Sequence, residues 1–366
     1  MTTLHIALDD AVKPGVSTSG LYARHLAAAL VETAPTDCSV DAVVSSSVDD
    51  DELRAFVPGL TDIHHGALRR REQRAAWAGG MSLPKVSGLL HSPSLFAPLK
   101  SADRAHPELG LQQVVTVHDR RPRAVDGATA RLAQAWWTGM IRRAERLADA
   151  VVVPTHALAE ELTSSTALGS RLRVIPSAPA PAGVLDPDDP RLAALPERYL
   201  AASVTLDHRD DLPTLLAAAV ESTLPLVLLV DAQHGSVDLP LALSQAHVPA
   251  QHVTVIDETD AALRRSVLQR AELVVHAPAH DSDAALLLEA FQAGAAVLAR
   301  PLPSIREISE GAARMTEEGA DLAEQISALL DDTAGRERLR LLAEDRVRAY
   351  TWQGTAAKVW ELHADL

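Results

Sequence analysis

The sequence has little cysteine, few aromatic residues and no long apolar run. The one cysteine among 366 residues, Cys38, excludes an internal disulfide and is typical of a reducing cytoplasm. No apolar stretch approaches the roughly 20 residues of a membrane-spanning helix. The opening MTTLHIALDD lacks a basic region before its apolar residues and predicts a first strand rather than a signal peptide. Because 47% of the residues are hydrophobic, we expect a globular protein with a large core. The single cysteine leads us to expect a cytoplasmic location.

The sequence also has no excess of positive charge, and its second half is strongly acidic. Basic and acidic residues balance in residues 1–185, so the whole net charge of −15 lies in residues 186–366. Nucleic acid is therefore a poor partner, because phosphate binding needs clustered cations. The first half keeps arginine clusters, LRRREQR at 68–74 and DRRPR at 119–123. Such clusters are typical of solvated helix faces, but they leave an anionic acceptor or a lipid surface open.

The remaining pattern is an alternation of short apolar runs with helical segments. Runs such as VVTV and LPLVLLV lack polar alternation, which indicates parallel strands buried on both faces. A segment rich in proline and aspartate near 183–196 separates two such series. We predict an α/β protein with two Rossmann-like, doubly wound parallel-sheet domains, residues 1–185 and 186–350, followed by a terminal helix at 351–366. Ligands of such folds bind beyond the carboxyl ends of the strands.

Several motifs of other chemistries do not fit. PGVSTSG at 14–20 has the spacing of neither a dinucleotide fingerprint nor a phosphate loop. In HAPAHD at 276–281, Pro278 argues against a helical histidine pair. His64 and His65 are adjacent and point to opposite faces if the chain is extended. We therefore expect no metal site.

Several segments that follow predicted strands form an ordered set. The segments are GLYARHLAAAL (20–30), HSPSLFAP (91–98), VVTVHDRRP (114–122), RLRVIPSAPAP (171–181), SVTLDHRDDLPTLLAA (203–218) and HDSDAALLLEAFQAG (280–294). Taken in order, they resemble the retaining, nucleotide-sugar-dependent glycosyltransferases of the GT-B fold, in the large group that contains bacterial mannosyl- and glucosyltransferases. The last segment resembles that group's signature Glu-Gly-Phe-Gly-x4-Glu-Ala, whose two acids stand eight apart. The resemblance implies two domains facing across a cleft and a terminal helix that packs back on the N-terminal domain.

The resemblance also implies roles for individual residues. Asp281 would hold the sugar hydroxyls, and Glu289, two helical turns later, would accept the ribose hydroxyls. Arg209 would face the diphosphate leaving group, and His118 would reach the transferred sugar from the first domain. Further donor-binding positions at helix N-termini are implied by the same motifs, namely Gly20, Ser282, Asp283 and Ala284. No metal and no other cofactor are implied, because cationic side chains and helix dipoles take the place of a metal.

We therefore predict a hexosyltransferase of polysaccharide or glycolipid biosynthesis. It would move mannose or glucose, with retention, from a nucleoside-diphosphate sugar to a saccharide or glycolipid. Its location would be cytoplasmic, and contact of the first-domain arginines with the inner membrane face stays open.

The chain departs from the family pattern at the predicted donor site. Asp210 stands where the family has lysine, and Ala284 and Val204 stand where it has glycine. Two alternatives follow: a catalytically degenerate protein of this fold that binds a partner, and a nucleotide-sugar epimerase.

Overall fold

The computed structural model describes residues 2–12, 18–81, 86–101, 111–119, 128–181, 183, 185–204, 212–222, 224–230, 239–257, 260–278, 285–317 and 319–366. The chain forms two compact units. The first contains Thr18–Ser177 and Thr351–Leu366 together with the first strand, and the second contains Ala178–Tyr350. The first division therefore falls between Ser177 and Ala178, ahead of the expected boundary at 185. The segment after Tyr350 belongs to the first unit although the second unit precedes it in sequence.

The first unit is built on a parallel sheet with the strand order β3-β2-β1-β4-β5-β6-β7. Its strands are Thr2–Ala7 (β1), Cys38–Val44 (β2), Ile63–His65 (β3), Gly88–Ser92 (β4), Leu111–Thr116 (β5), Ala150–Val153 (β6) and Leu172–Val174 (β7). Its helices up to Ser177 are Thr18–Glu32 (α1), Asp50–Phe56 (α2), Arg70–Ala78 (α3), Ala128–Leu147 (α4) and His156–Ser165 (α5). A helix stands between successive strands except β4 and β5, part of whose connection lies outside the described residues.

The second unit repeats this architecture with the strand order β10-β9-β8-β11-β12-β13, again parallel. Its strands are Leu200–Val204 (β8), Leu226–Val230 (β9), Val253–Asp257 (β10), Leu273–His276 (β11), Val297–Ala299 (β12) and Arg314–Met315 (β13). Its helices are Pro190–Ala193 (α6), Leu212–Glu221 (α7), Leu239–Gln245 (α8), Ala261–Arg270 (α9), Ala285–Gln292 (α10), Pro303–Ser309 (α11), Leu322–Asp331 (α12) and Thr333–Val347 (α13).

Both faces of the second sheet are buried, which explains why its strands read as continuous apolar runs. Val227 and Leu229 of β9 pack into one core, whereas Leu226 and Leu228 pack into another. Successive side chains of a strand point to opposite faces, so the two cores lie on the two sides of the sheet. The predicted pair of parallel-sheet α/β domains is confirmed.

The last helix, Trp352–Asp365 (α14), completes the first unit. Thr351 caps it by accepting the N–H of Gly354 at 3.1 Å. Trp352 packs edge-on against Tyr22 of α1, with ring centroids 5.5 Å apart. The Thr355 hydroxyl donates to the carbonyl of Pro176 at 2.8 Å. The helix is therefore fixed at its beginning by both polar and aromatic contacts.

Candidate functional site

Polar side chains gather where the strands of the first sheet end. Asp9 and Asp10 follow β1, and Ser94 follows β4, so these residues lie at the carboxyl edge where α/β folds bind ligands. The Ser94 hydroxyl donates to Asp10 Oδ2 at 2.6 Å, and the Arg70 guanidinium pairs with the other oxygen. The backbone N–H of Ser45 lies 3.1 Å from both oxygens of Asp9. This edge contains two buried carboxylates, a hydroxyl and a guanidinium, which are groups that can bind hydroxyl-rich ligands.

Electrostatics at this edge depend mainly on burial. Asp9 is fully buried, and the loss of solvent raises the pKa of its carboxyl above the usual range. Hydrogen bonds from Ser45 and the positive charge of Arg70 oppose that shift. The pKa of the Asp9 carboxyl is thus set by two opposing effects, desolvation and the groups that stabilise its charged form.

His118, the predicted N-domain histidine, follows β5 at the same edge and is buried. Its Nε2 lies 2.8 Å from the carbonyl oxygen of Pro93. Because a carbonyl can only accept, Nε2 carries the hydrogen in this contact. The ring also packs edge-on against Tyr22, with centroids 4.6 Å apart. The side chain is therefore fixed in orientation, and its role towards a sugar stays a prediction. Gly20 lies buried in the first turn of α1.

In the second unit, Glu289 stands on α10, the helix that follows β11. Arg264 of α9 holds its carboxylate in a bidentate pair, with Nε to Oε2 at 2.6 Å and Nη2 to Oε1 at 2.9 Å. The side chains of Arg264 and Glu289 are 4% and 11% exposed. A carboxylate has about four lone-pair positions, so two remain for other donors. The pair fixes the direction of those positions.

A second arginine fixes the backbone just before the predicted donor loop. Arg300 follows β12, and its Nη1 donates to the carbonyl of Pro278 at 3.0 Å. Pro278 comes two residues after β11 ends at His276. Neighbouring strand ends of the second sheet are thus linked at their carboxyl edge.

Five of the predicted site residues lie outside the described residues, and their roles stay predictions. They are Arg209, Asp281, Ser282, Asp283 and Ala284. Asp210 lies outside them as well.

Sequence reasoning did not identify the Asp9–Asp10 edge or the arginine partner of Glu289. The first had a signal, because two acids directly after a first strand occupy a ligand-binding position of this fold. Arg264 had none, since nothing local pairs it with an acid 25 positions later.

Two other properties bear on function. Among the described residues, the side chains grouped closely enough to hold a metal ion are His5, Asp41 and His64, which lie within the strands of the first sheet. No helix in the described part of the chain has the length and apolar character needed to span a bilayer.

Comparison with known proteins agrees with this architecture. The family described as Glycosyltransferase Family 4 matches residues 20–178, which make up most of the first unit. No curated protein sequence matches the chain.

Solved structures match over the whole length. Sucrose-phosphate synthase from Thermosynechococcus elongatus is 16% identical, with a TM-score of 0.74, covering 100% of this chain and 99% of that one. HepE from Anabaena, solved in complex with UDP-glucose, is 13% identical, with a TM-score of 0.70 and full coverage of both chains. An α,α-trehalose-phosphate synthase (UDP-forming) from Burkholderia vietnamiensis is 10% identical, with a TM-score of 0.66 and full coverage of both. These matches establish the GT-B fold.

Proposed function

Because residues 20–178 are a glycosyltransferase family 4 domain in a chain with the GT-B fold, we propose that the protein is a retaining hexosyltransferase. It transfers glucose or mannose from a nucleoside-diphosphate sugar to a saccharide or glycolipid acceptor. The observation that carries the proposal is Glu289. It stands on the helix after β11, at the position of the second acid of the family signature, with its carboxylate oriented by Arg264.

On the donor side, Glu289 accepts the two ribose hydroxyls with the lone pairs that Arg264 leaves. Arg264 acts as a positioning residue, because a bidentate pair fixes the plane of the carboxylate. In this proposal Asp281 contacts the sugar and Arg209 stabilises the charge that develops on the diphosphate as the glycosidic bond breaks. Ser282, Asp283 and Ala284 present backbone donors.

Uridine is the base we favour, because HepE, with the same fold, was solved with UDP-glucose bound. No metal is assigned to this reaction, since side-chain cations and helix N-termini can balance the diphosphate charge.

On the acceptor side, Asp10, Ser94 and Arg70 supply the polar groups for a saccharide. In this proposal His118 contacts the transferred sugar, and Gly20 contributes to donor binding. The exposed cations Arg69, Arg71, Arg142 and Arg146 of the first unit support contact with an anionic lipid surface. The proposal includes a cytoplasmic location with this contact at the inner face of the membrane.

A second candidate, a degenerate protein that binds a partner without catalysis, is favoured by one observation. Asp210 places an anion at the position where the family that the sequence resembles has a cation. Its negative charge would repel a diphosphate.

Titration calorimetry with UDP and GDP, with and without Mg²⁺, separates the two candidates. The natural protein is compared with Asp210→Lys and with Asp331→Lys, which makes the same charge change on an exposed position of α12. For the transferase we expect micromolar UDP binding by the natural protein, with release of glucose from UDP-glucose and an α product from the α-linked donor. Absence of binding by the natural protein, with binding gained in Asp210→Lys alone, would instead establish the degenerate protein.

A further inference from the structure

Three adjacent strands of the first sheet place a histidine, an aspartate and a histidine side by side. His5 lies in β1, Asp41 in β2 and His64 in β3. His5 is the register partner of Asp41, and His64 is the partner of Val43, two positions further along β2. Because side chains alternate along a strand, all three point to the same face of the sheet. The sequence separates them by 36 and 23 positions, and their grouping is created by strand register.

Their ligand atoms converge. His64 Nε2 lies 2.9 Å and His5 Nε2 lies 3.9 Å from the same oxygen, Asp41 Oδ2. One nitrogen or oxygen from each residue lies within 4.8 Å of the others. A tetrahedral metal with bonds of about 2.1 Å separates its ligand atoms by about 3.4 Å. The observed spacing brackets that value, so small changes of rotamer complete the geometry.

The hydrogen bonds around the cluster leave His5 Nε2 and Asp41 Oδ2, which can bind a metal, facing each other. His5 Nδ1 lies 3.2 Å from the carbonyl of Leu89, and since a carbonyl accepts, Nδ1 carries the hydrogen. The lone pair of a neutral His5 is then on Nε2, directed at a carboxylate oxygen. Two electron-pair donors facing each other favour a shared cation.

The supporting residues also resemble those of metal sites. The backbone N–H of Asp62 donates to Asp41 Oδ1 at 3.2 Å and leaves Oδ2 for the cluster. Metal-binding histidines usually donate their other N–H to a carbonyl or a carboxylate, as His5 does to Leu89. His64 is 35% exposed, so an ion can enter from solvent, whereas Asp41 is 11% exposed.

We propose that His5, Asp41 and His64 form a binding site for a divalent transition-metal ion, with zinc as the best fit. Two imidazoles and one carboxylate suit zinc in a tetrahedral site, and a water takes the fourth position. Magnesium is a poor fit, because it prefers oxygen ligands in octahedral geometry. The ion would link β1, β2 and the short edge strand β3, which contributes three residues to the sheet.

The test is direct metal titration of the full chain after dialysis against a chelator. Zn²⁺ is followed by competition with a chromophoric chelator and Co²⁺ by its visible absorption, each in the presence of excess Mg²⁺. The variants are His64→Gln and Asp41→Asn. The matched control is His65→Gln, which removes the neighbouring histidine, whose Nε2 contacts Asp50 at 2.6 Å instead of the cluster.

We expect one tightly bound equivalent and a tetrahedral cobalt spectrum in the natural protein and in His65→Gln. Both ligand variants should weaken binding by more than the roughly 10- to 100-fold that loss of an outer-shell partner costs. Asp41→Asn keeps the size of the side chain and serves as the test if His64→Gln does not fold. Equal affinity in the natural protein and the ligand variants, or no binding by the natural protein, overturns the proposal. Neither result depends on donor or acceptor binding.

Discussion

Each unit has a buried carboxylate–arginine pair near its predicted ligand-binding edge, and the two pairs differ in which partner is more deeply buried. In the first unit the acid is the buried member, since Asp10 is 6% exposed and Arg70 is 33% exposed. In the second unit the cation is the more deeply buried member, with Arg264 at 4% and Glu289 at 11%. Asp10 also accepts from Ser94, whereas both oxygens of Glu289 are held by Arg264.

This difference determines what each pair contributes. A deeply buried guanidinium loses its hydration and depends on its carboxylate, so the second pair is costly to break. A partly exposed arginine keeps much of its hydration, so the first pair contributes less to stability. We infer that Glu289 supports the fold of the second unit as well as the proposed donor site. The first-unit pair is freer to exchange partners with a ligand.

The tryptophans allow the two units to be observed separately. All five, Trp77, Trp136, Trp137, Trp352 and Trp360, belong to the first unit. Tryptophan fluorescence therefore reports unfolding of the first unit, while calorimetry reports both.

The largest expected effect is that of Glu289→Gln. Removing the charge of one partner in a buried ion pair costs about 3–5 kcal/mol of unfolding free energy. Calorimetry should show a lower transition for the second unit, and the tryptophan transition should stay unchanged. Glu324→Gln, an exposed helix position of the same unit, is the control. A loss of less than about 1 kcal/mol would contradict the inferred dependence of Arg264 on Glu289.

The next effect is a difference in acid sensitivity. Burial lowers the pKa of His363 in α14 to about 4, and the pKa of His91 is also lowered well below its usual value. Below the usual histidine pKa of about 6.5, His363 and His91 bind protons in the unfolded chain but stay neutral in the folded unit. Stability is therefore lost as the pH falls from about 6.5 towards 4, by about 3 kcal/mol for His363.

In the second unit, the pKa of Glu272 is lowered, mainly by its hydrogen bond with Arg198. That contribution is present above the usual glutamate pKa and is lost only at lower pH. Acidification should therefore shift the tryptophan transition first. His363→Gln should reduce that shift, and His65→Gln should not. Simultaneous loss of both transitions above pH 5 would contradict this order.

A smaller effect is expected for the first-unit pair. Arg70→Met removes a charged hydrogen bond to buried Asp10, but Arg70 is one-third exposed and Ser94 remains. We expect a loss of about 1–2 kcal/mol, read from the tryptophan transition. Arg71→Met is the neighbouring exposed control. A loss equal to that of Glu289→Gln would remove the distinction between the two pairs.

The last comparison concerns one glycine in each unit. Gly59 has φ +87°, and an added Cβ would lie 2.8 Å from Val31 Cγ1. Gly311 has φ +91° and open space around it. Alanine at Gly311 should cost only the left-handed backbone, about 1–2 kcal/mol, and alanine at Gly59 should cost more because valine cannot rotate away easily. Equal losses in thermal unfolding would show that the contact with Val31 relaxes.

Prediction from the sequence succeeded where local pattern carries the information. Apolar runs such as AVVV in β6 identified buried parallel strands, and the ordered segments identified the GT-B fold. The pairing of Arg264 with Glu289 depends on how two helices pack, and the grouping of His5 with His64 depends on strand register. Neither leaves a local signal. The adjacency of His64 and His65 even argued against a metal site, because adjacent side chains of a strand point to opposite faces. The proposed partners of His64 are instead Asp41, 23 positions earlier, and His5.

The return of α14 to the first unit has a consequence for biosynthesis. A ribosome that makes 5–20 residues per second needs roughly 10 to 35 s to pass through residues 178–350 before the partner of Tyr22 emerges. During that interval the nascent first unit lacks its final helix and exposes the apolar surface that Trp352 later covers. The unit that is translated first is therefore completed only after α14 has been made, and until then it exposes apolar surface of the kind that chaperones bind.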